Sequence, residues 1–252
     1  MLQKWLSILM VCATWTVASG SALAQIAGTV THHTFLGPVT GAEVRFNIYL
    51  PPGYSDGVAR YPVAYHLHGI GGNENGQHTK LMPELFEAGV AAGLVRPAIL
   101  VFPNGYDDAF WADTIGGDRP AESALIQDLI PFIDAQYRTV AQPEFRVIMG
   151  YSMGGFGAVK FFCKFPELFA CCVAFDGAIM YWEQLVARHP TVASEVFGNS
   201  SAYFDAYSPW TWPIANAGVI GSSARIRMPE GLLVDYGRAY RDHLNAVGIA
   251  VD

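Results

Sequence analysis

Charged residues are few in this chain, 15% of 252, and the basic ones are outnumbered 15 to 22 by the acidic. Binding to nucleic acid draws on clustered cations that displace counterions from phosphates, and no such cluster occurs, so a nucleic-acid partner is not expected. Cysteine is also scarce. Of the four, Cys12 lies in an apolar leader, which leaves Cys163, Cys171 and Cys172. Three thiols cannot all pair, and the adjacent two sit in the apolar run FACCVAF. They read as buried thiols, with a bridge from Cys163 to one of them as the alternative in an exported protein. No CxxC or HExxH spacing is present, so neither a metal nor a cofactor is expected. Past the leader, no apolar run reaches the roughly 20 residues that a membrane-spanning helix needs.

Hydrophobic residues, by contrast, make up 52% of the chain, enough for one sizeable core. The chain starts MLQKWLSILMVCATWTVASGSALAQ. A basic Lys4, an apolar run from Trp5 to Val17 and the small-residue pattern Ala22-Leu23-Ala24 read as a signal peptide, residues 1–24, cut after Ala24. Cleavage removes one cation and no acid, which leaves a formal charge of −8. Residues 25–252 are expected to form one domain, secreted or periplasmic.

Strand-like runs recur along that domain. From Glu43 to Leu50, Val44, Phe46, Ile48 and Leu50 alternate with Glu43, Arg45, Asn47 and Tyr49, the period of a strand with one buried face. Another such run spans Gly28 to Phe35. Short apolar runs at Val63 to Leu67, Ala98 to Phe102, Phe145 to Met149, Cys171 to Phe175 and Ala224 to Met228 are bounded by Gly, Pro, Asn or charged residues. Helical segments are expected at Lys80 to Leu94, Ala121 to Tyr137, Phe156 to Phe165 and Tyr236 to Val247, with Pro131 kinking the second. Strands alternating with helices imply an α/β fold, a mostly parallel central sheet with helices on both faces, whose ligands sit at the carboxyl ends of the strands.

One such end carries VIMGYSMGG, residues 147–155. A strand before it and a helix after it put Ser152 on a sharp turn that exposes the hydroxyl, and glycines two residues to either side leave room for the neighbouring backbone. A pattern Gly-x-Ser-x-Gly alone would be weak in a chain with 26 glycines. HLHGIGGNENG, residues 66–76, follows an early strand and supplies flexible backbone near the same place. The two together point to an oxyanion hole made by the amides of Met153 and of Ile70, or of Gly69 beside it.

The ordered set YLPPGY, HLHGIGGNENG, VFPNGYDDAFWAD, DLIPFIDAQYRT and MGYSMGGFGAVKFFCKFPELFA resembles the putative esterase family of α/β-hydrolases, over about residues 28–250. That group includes feruloyl and acetyl-xylan esterases, S-formylglutathione hydrolase and the antigen 85 mycolyltransferases. The resemblance implies an α/β-hydrolase fold, Ser152 as nucleophile and a small-molecule or carbohydrate ester as substrate. It also implies an acid after a late strand. The family's G-x-x-D turn is missing, and Asp235 is preferred over Glu230 because Leu232 to Val234 could end a strand before it. The histidine would lie beyond the strand begun at Val251 and Asp252, so the C-terminal end of the fold is expected to be incomplete and no base is identified. His243 reads as an outward residue of a helix, and His66 and His68 as structural residues near the oxyanion loop. Trp111, in the loop after the strand ending at Phe102, is expected to line the substrate pocket, with Asp107, Asp108 and Asp113 around it. Tyr203, Phe204, Tyr207, Trp210 and Trp212 form a second aromatic group that reads as core, with a platform for a feruloyl or sugar ring as the alternative. The leading expectation is a secreted serine carboxylesterase. The alternatives are an acyltransferase with the same residues, or a hydrolase fold that has lost its base and persists as a binding protein.

Overall fold

Apolar alternation writes the central sheet. A computed structural model describes residues 26–220, 225–229 and 231–251. The expected signal peptide, Cys12, Ala224, Glu230 and Asp252 lie outside the described residues. Seven strands, β1 (Thr29–Leu36), β2 (Glu43–Leu50), β3 (Val63–Leu67), β4 (Ile99–Pro103), β5 (Arg146–Tyr151), β6 (Cys171–Phe175) and β7 (Arg225–Arg227), form one sheet in the order β1-β2-β4-β3-β5-β6-β7. The β1–β2 and β2–β4 pairs are antiparallel, and the pairs from β4 to β7 are parallel.

Every residue of β3 and β4 is buried, as expected of strands covered on both faces. Their side chains divide by parity. Val63, Tyr65, Leu67, Ile99, Val101 and Ile148 join the large cluster on one face, while Ala64, Leu100, Phe102 and Met149 join a smaller cluster on the other. The smaller cluster is closed by Met82 and Phe86 of α1 (Gln77–Ala91). The larger one holds α4 (Met153–Lys164), whose Phe156, Val159 and Phe161 are fully buried. Truncating one such ring, Phe156→Ala, costs about 3–5 kcal/mol.

Residues 121–136 are continuously helical but not uniform: α2 (Ala121–Ser123) runs into a π-helical segment, Ala124–Leu129, and then α3 (Ile130–Gln136). Pro131 comes just after the π-helical segment and has no N–H to donate back into it, so the irregularity lies upstream of the proline rather than as a kink at it. Four short helices not anticipated from the sequence, α5 (Trp182–Arg188), α6 (Pro190–Glu195), α7 (Ser201–Asp205) and α8 (Trp212–Ile220), cover the large cluster. Helix α9 (Val234–Ala246) buries Tyr240 and Leu244 against it, and Val251 bridges to Ile226 in parallel. Among the described residues no helix is long and apolar enough to cross a membrane.

Candidate active site

The turn between β5 and α4 holds Ser152 at φ 54°, ψ −115°, a strained backbone for a residue with a side chain. Its surroundings fix that conformation. The Ser152 N–H donates to the Phe175 carbonyl at 3.0 Å, and its own carbonyl accepts from Phe156 at 3.1 Å and Ala178 at 3.0 Å. The flanking glycines make the turn possible by close approach. A Cβ on Gly150 would stand 2.2 Å from the Gly154 oxygen, and one on Gly154 would stand 2.0 Å from the Leu67 oxygen of β3. The nucleophile turn, β3 and the loop after β6 therefore meet backbone to backbone.

Met153 is the first residue of α4, so its N–H has no intrahelical acceptor and lies at the positive end of the helix dipole. Opposite it, the loop after β3 packs onto the serine. A Cβ on Gly69 would lie 3.4 Å from the Ser152 Cβ, and the Ile70 N–H donates to no acceptor among the described residues. The structure thus packs Gly69, the residue before Ile70, against the serine that precedes Met153.

That loop is pinned from behind. Gly71 donates to the Asp107 carbonyl at 2.7 Å and Gly72 to the Gly69 carbonyl at 3.0 Å. The His68 ring stands 2.9 Å from the Gly69 oxygen through Nδ1 and accepts the Gly105 N–H through Nε2 at 3.0 Å. Burial pushes its pKa down, outweighing the opposing hydrogen bond to Gly69 and the nearby Glu74 and Asp107. Glu74 is buried and binds Asn104 at 2.5 Å and His32 at 3.2 Å, while its carbonyl takes Asn47 at 2.9 Å, so the loop is tied to β1, β2 and the end of β4.

Trp111, expected in the substrate pocket, is instead fully buried. Its indole N–H donates to the His68 carbonyl at 3.1 Å, and the ring fills the space that Gly105 and Gly157 leave open, so it supports the loop from beneath. Asp108 pairs with Arg119, and Asp113 accepts the backbone and hydroxyl of Ser123 at 3.0 and 2.6 Å. These acids hold their own loop. Of the second aromatic group, Phe204 is buried, and the hydroxyl of Tyr203 donates to the Asp113 carbonyl at 3.1 Å. Trp210 stacks on Tyr181 at 4.0 Å.

A cavity of about 330 Å³ opens beside the serine turn, bordered by Gly69, Ile70, Tyr151, His66, His78 and Phe102. His66 Nε2 and His78 Nδ1 are 2.7 Å apart, and burial lowers the pKa of both rings. His243 is partly buried rather than outward, with Nε2 3.1 Å from the Trp210 carbonyl. None of the seven histidines hydrogen-bonds Ser152 among the described residues. Asp235 lies exposed in the first turn of α9, not after a strand, because Leu232 and Leu233 form a turn. Asp176 was not singled out from the sequence. It directly follows β6 at φ 45°, and its carboxylate takes the Leu233 N–H at 2.5 Å, tying the start of α9 to the serine turn. The local signal was an acid followed by glycine at the end of a buried strand. No group of three metal-ligating side chains occurs among the described residues. The three described cysteines are free and buried.

The chain matches the family model described as Putative esterase over residues 37–216. It is 32% identical over 149 residues to an esterase of Mycobacterium tuberculosis, an alignment covering 58% of this chain and 32% of that protein. It is 32% identical over 181 residues to an endo-1,4-beta-xylanase/feruloyl esterase of Xylanibacter ruminicola, covering 68% of this chain and 24% of that protein. The chain therefore spans about a quarter to a third of the length of these curated relatives. Among solved structures, a ferulic acid esterase superposes with a TM-score of 0.75 at 18% identity, over 90% of this chain and 89% of that one. An S-formylglutathione hydrolase of Staphylococcus aureus gives 0.72 at 16% identity, over 89% of each. The shared fold is that of the α/β-hydrolases.

Proposed function

We propose that this chain, which belongs to the putative esterase family, is a carboxylic ester hydrolase that works through an acyl-enzyme on Ser152. The observation that carries the reading is the strained serine between β5 and α4, with the Gly69–Ile70 backbone packed against it. In this mechanism the Ser152 oxygen attacks the ester carbonyl carbon. The oxygen that becomes negative is met by the N–H groups of Met153 and Ile70, worth about 10²–10³ in rate per donor. Collapse of the intermediate breaks the bond to the alcohol, which leaves with the proton taken from the serine. Water then attacks the acyl group, releases the carboxylic acid and restores Ser152. Asp235, at the start of α9, is the proposed acid.

The substrate is proposed to be a carbohydrate-linked or small acyl or aryl ester. Support comes from the similarity to a protein named as a xylanase/feruloyl esterase and from the cavity that Gly69, Ile70 and Tyr151, the residue before the serine, line. The first 24 residues support export. A fluorophosphonate probe should label Ser152, and Ser152→Ala should abolish both labelling and hydrolysis of p-nitrophenyl acetate. A folded protein that takes no label would overturn the reading. Product analysis with a competing alcohol separates hydrolysis from acyl transfer.

A further inference from the structure

Two backbone groups determine where His68 carries its proton. The Gly105 N–H can only donate, and it meets Nε2 at 3.0 Å, so that nitrogen presents its lone pair. The proton of the neutral ring is then on Nδ1, which donates to the Gly69 carbonyl at 2.9 Å. The same carbonyl accepts the Gly72 N–H at 3.0 Å. His68 is 8% exposed, and its own carbonyl is held by the Trp111 indole at 3.1 Å, so the ring is clamped on both sides.

The Gly69 carbonyl and the Ile70 N–H belong to one planar peptide, and in a trans peptide they point in opposite directions. Holding the oxygen toward His68 aims the Ile70 N–H away from it. The peptide begins at Gly69, which packs on Ser152, and its N–H meets no acceptor among the described residues. A peptide turned the other way would present a carbonyl oxygen to a developing oxyanion and repel it. The neighbouring Gly71 sits at φ 74° in a loop rich in glycine, where little intrinsic stiffness opposes such a turn.

We propose that His68 is the positioning residue of the oxyanion hole: its Nδ1–H locks the Gly69–Ile70 peptide so that the Ile70 N–H faces the reacting carbonyl oxygen. The proposal rests on the ester-hydrolase reading and extends it to a residue that never touches substrate.

The side-chain amide of asparagine can replace an Nδ1 donor, whereas that of glutamine reaches the Nε2 position instead. Kinetics of p-nitrophenyl acetate hydrolysis should therefore separate the two. His68→Gln should lower kcat by about 100-fold with KM within about twofold, since oxyanion contacts act in the transition state. His68→Asn should keep at least about tenfold more of kcat than His68→Gln, by retaining the donor to Gly69. Melting curves of both variants accompany the kinetics. Equal kcat in the two, or losses that follow melting temperature alone, would overturn the proposal. A second measurement needs no variant and no turnover: nitrogen-15 NMR of the imidazoles in the wild-type protein should show His68 protonated on Nδ1. A ring protonated on Nε2 overturns the proposal. Wild-type protein without turnover sinks the hydrolase reading, while the tautomer still decides whether His68 holds the peptide.

Discussion

Adding one methyl group at Gly154 should loosen the whole site. The new Cβ would stand 2.0 Å from the Leu67 oxygen, 2.6 Å from the Leu67 carbonyl carbon and 2.8 Å from the His68 oxygen. Ordinary contact begins near 3.4 Å, so the nearest of these must retreat by about 1.4 Å. No side chain can swing aside, because all three atoms are backbone at the end of β3. Overpacking costs about 1–3 kcal/mol where side chains can adjust and more where they cannot. Alanine also favours the helix over glycine by about 1 kcal/mol, which offsets part of the loss. The net expectation for Gly154→Ala is about 2–4 kcal/mol, or a melting temperature lower by roughly 5–15 °C for a domain of this size. Because the strand end that moves leads directly into His68 and Gly69, labelling by a fluorophosphonate should slow as well. The matched control is Gly218→Ala in α8, where a Cβ meets nothing within 4 Å. There the propensity gain stands alone, and melting should rise by about 1–4 °C. Differential scanning fluorimetry and timed labelling read both proteins. A Gly154→Ala protein that melts with the wild type and labels at full rate would refute the backbone-on-backbone account of the serine turn.

Two further outcomes follow from buried charges. Asp128 is 1% exposed and accepts from the Val39 N–H at 2.8 Å, the Thr40 N–H at 3.2 Å and the Thr40 hydroxyl at 2.6 Å. Asp128→Ala strands these donors and should lower stability in urea titrations by about 2–4 kcal/mol while Ser152 labelling persists; a loss below about 0.5 kcal/mol would count against the network. Lys160 is fully buried beside Glu122 at 2.8 Å, and burial lowers its pKa from 10.5 to about 8 despite that partner. Between those pH values the unfolded chain holds a proton that the folded chain has released, so this group makes stability rise with pH across the window. Unfolding free energies at pH 8 and 9.5 should show the wild type gaining on Lys160→Met, and a flat or shrinking difference would contradict the lowered pKa.

Much of the sheet could be read from the chain because its signals are local. Glu43–Leu50, Val63–Leu67 and Cys171–Phe175 have the bounds their alternation or flanking residues suggested. The serine turn and the glycine loop were legible for the same reason, each being a few consecutive residues between a strand and a helix. The helices from Trp182 to Ile220 were not. They run 5 to 9 residues, too short for an apolar stripe to repeat, and single anchors such as Leu185 and Phe204 hold the first and third of them. Trp111 was misread because its partner, the His68 carbonyl, lies 43 residues away in sequence. Separations of 37 and 57 residues likewise hid the use of His68, whose ring is set by Gly105, and of Asp176, whose partner is Leu233.

The glycines of α4 differ in what a compensating change elsewhere could do for them. At Gly157 the obstacle to a Cβ is the side chain of Trp111, at 2.7 Å. The Trp111 Cβ stands at 2.8 Å as well, so of the residues at position 111 only glycine would clear the space, and the two sites can change together by that route alone. At Gly154 the obstacle is a peptide oxygen, which every amino acid carries alike. No second substitution at Leu67 or His68 removes it, and a search for suppressors of Gly154→Ala should return revertants or changes that shift α4 as a whole. Positions beside this serine turn therefore fall into those that can drift together and those from which no single compensated path leads away.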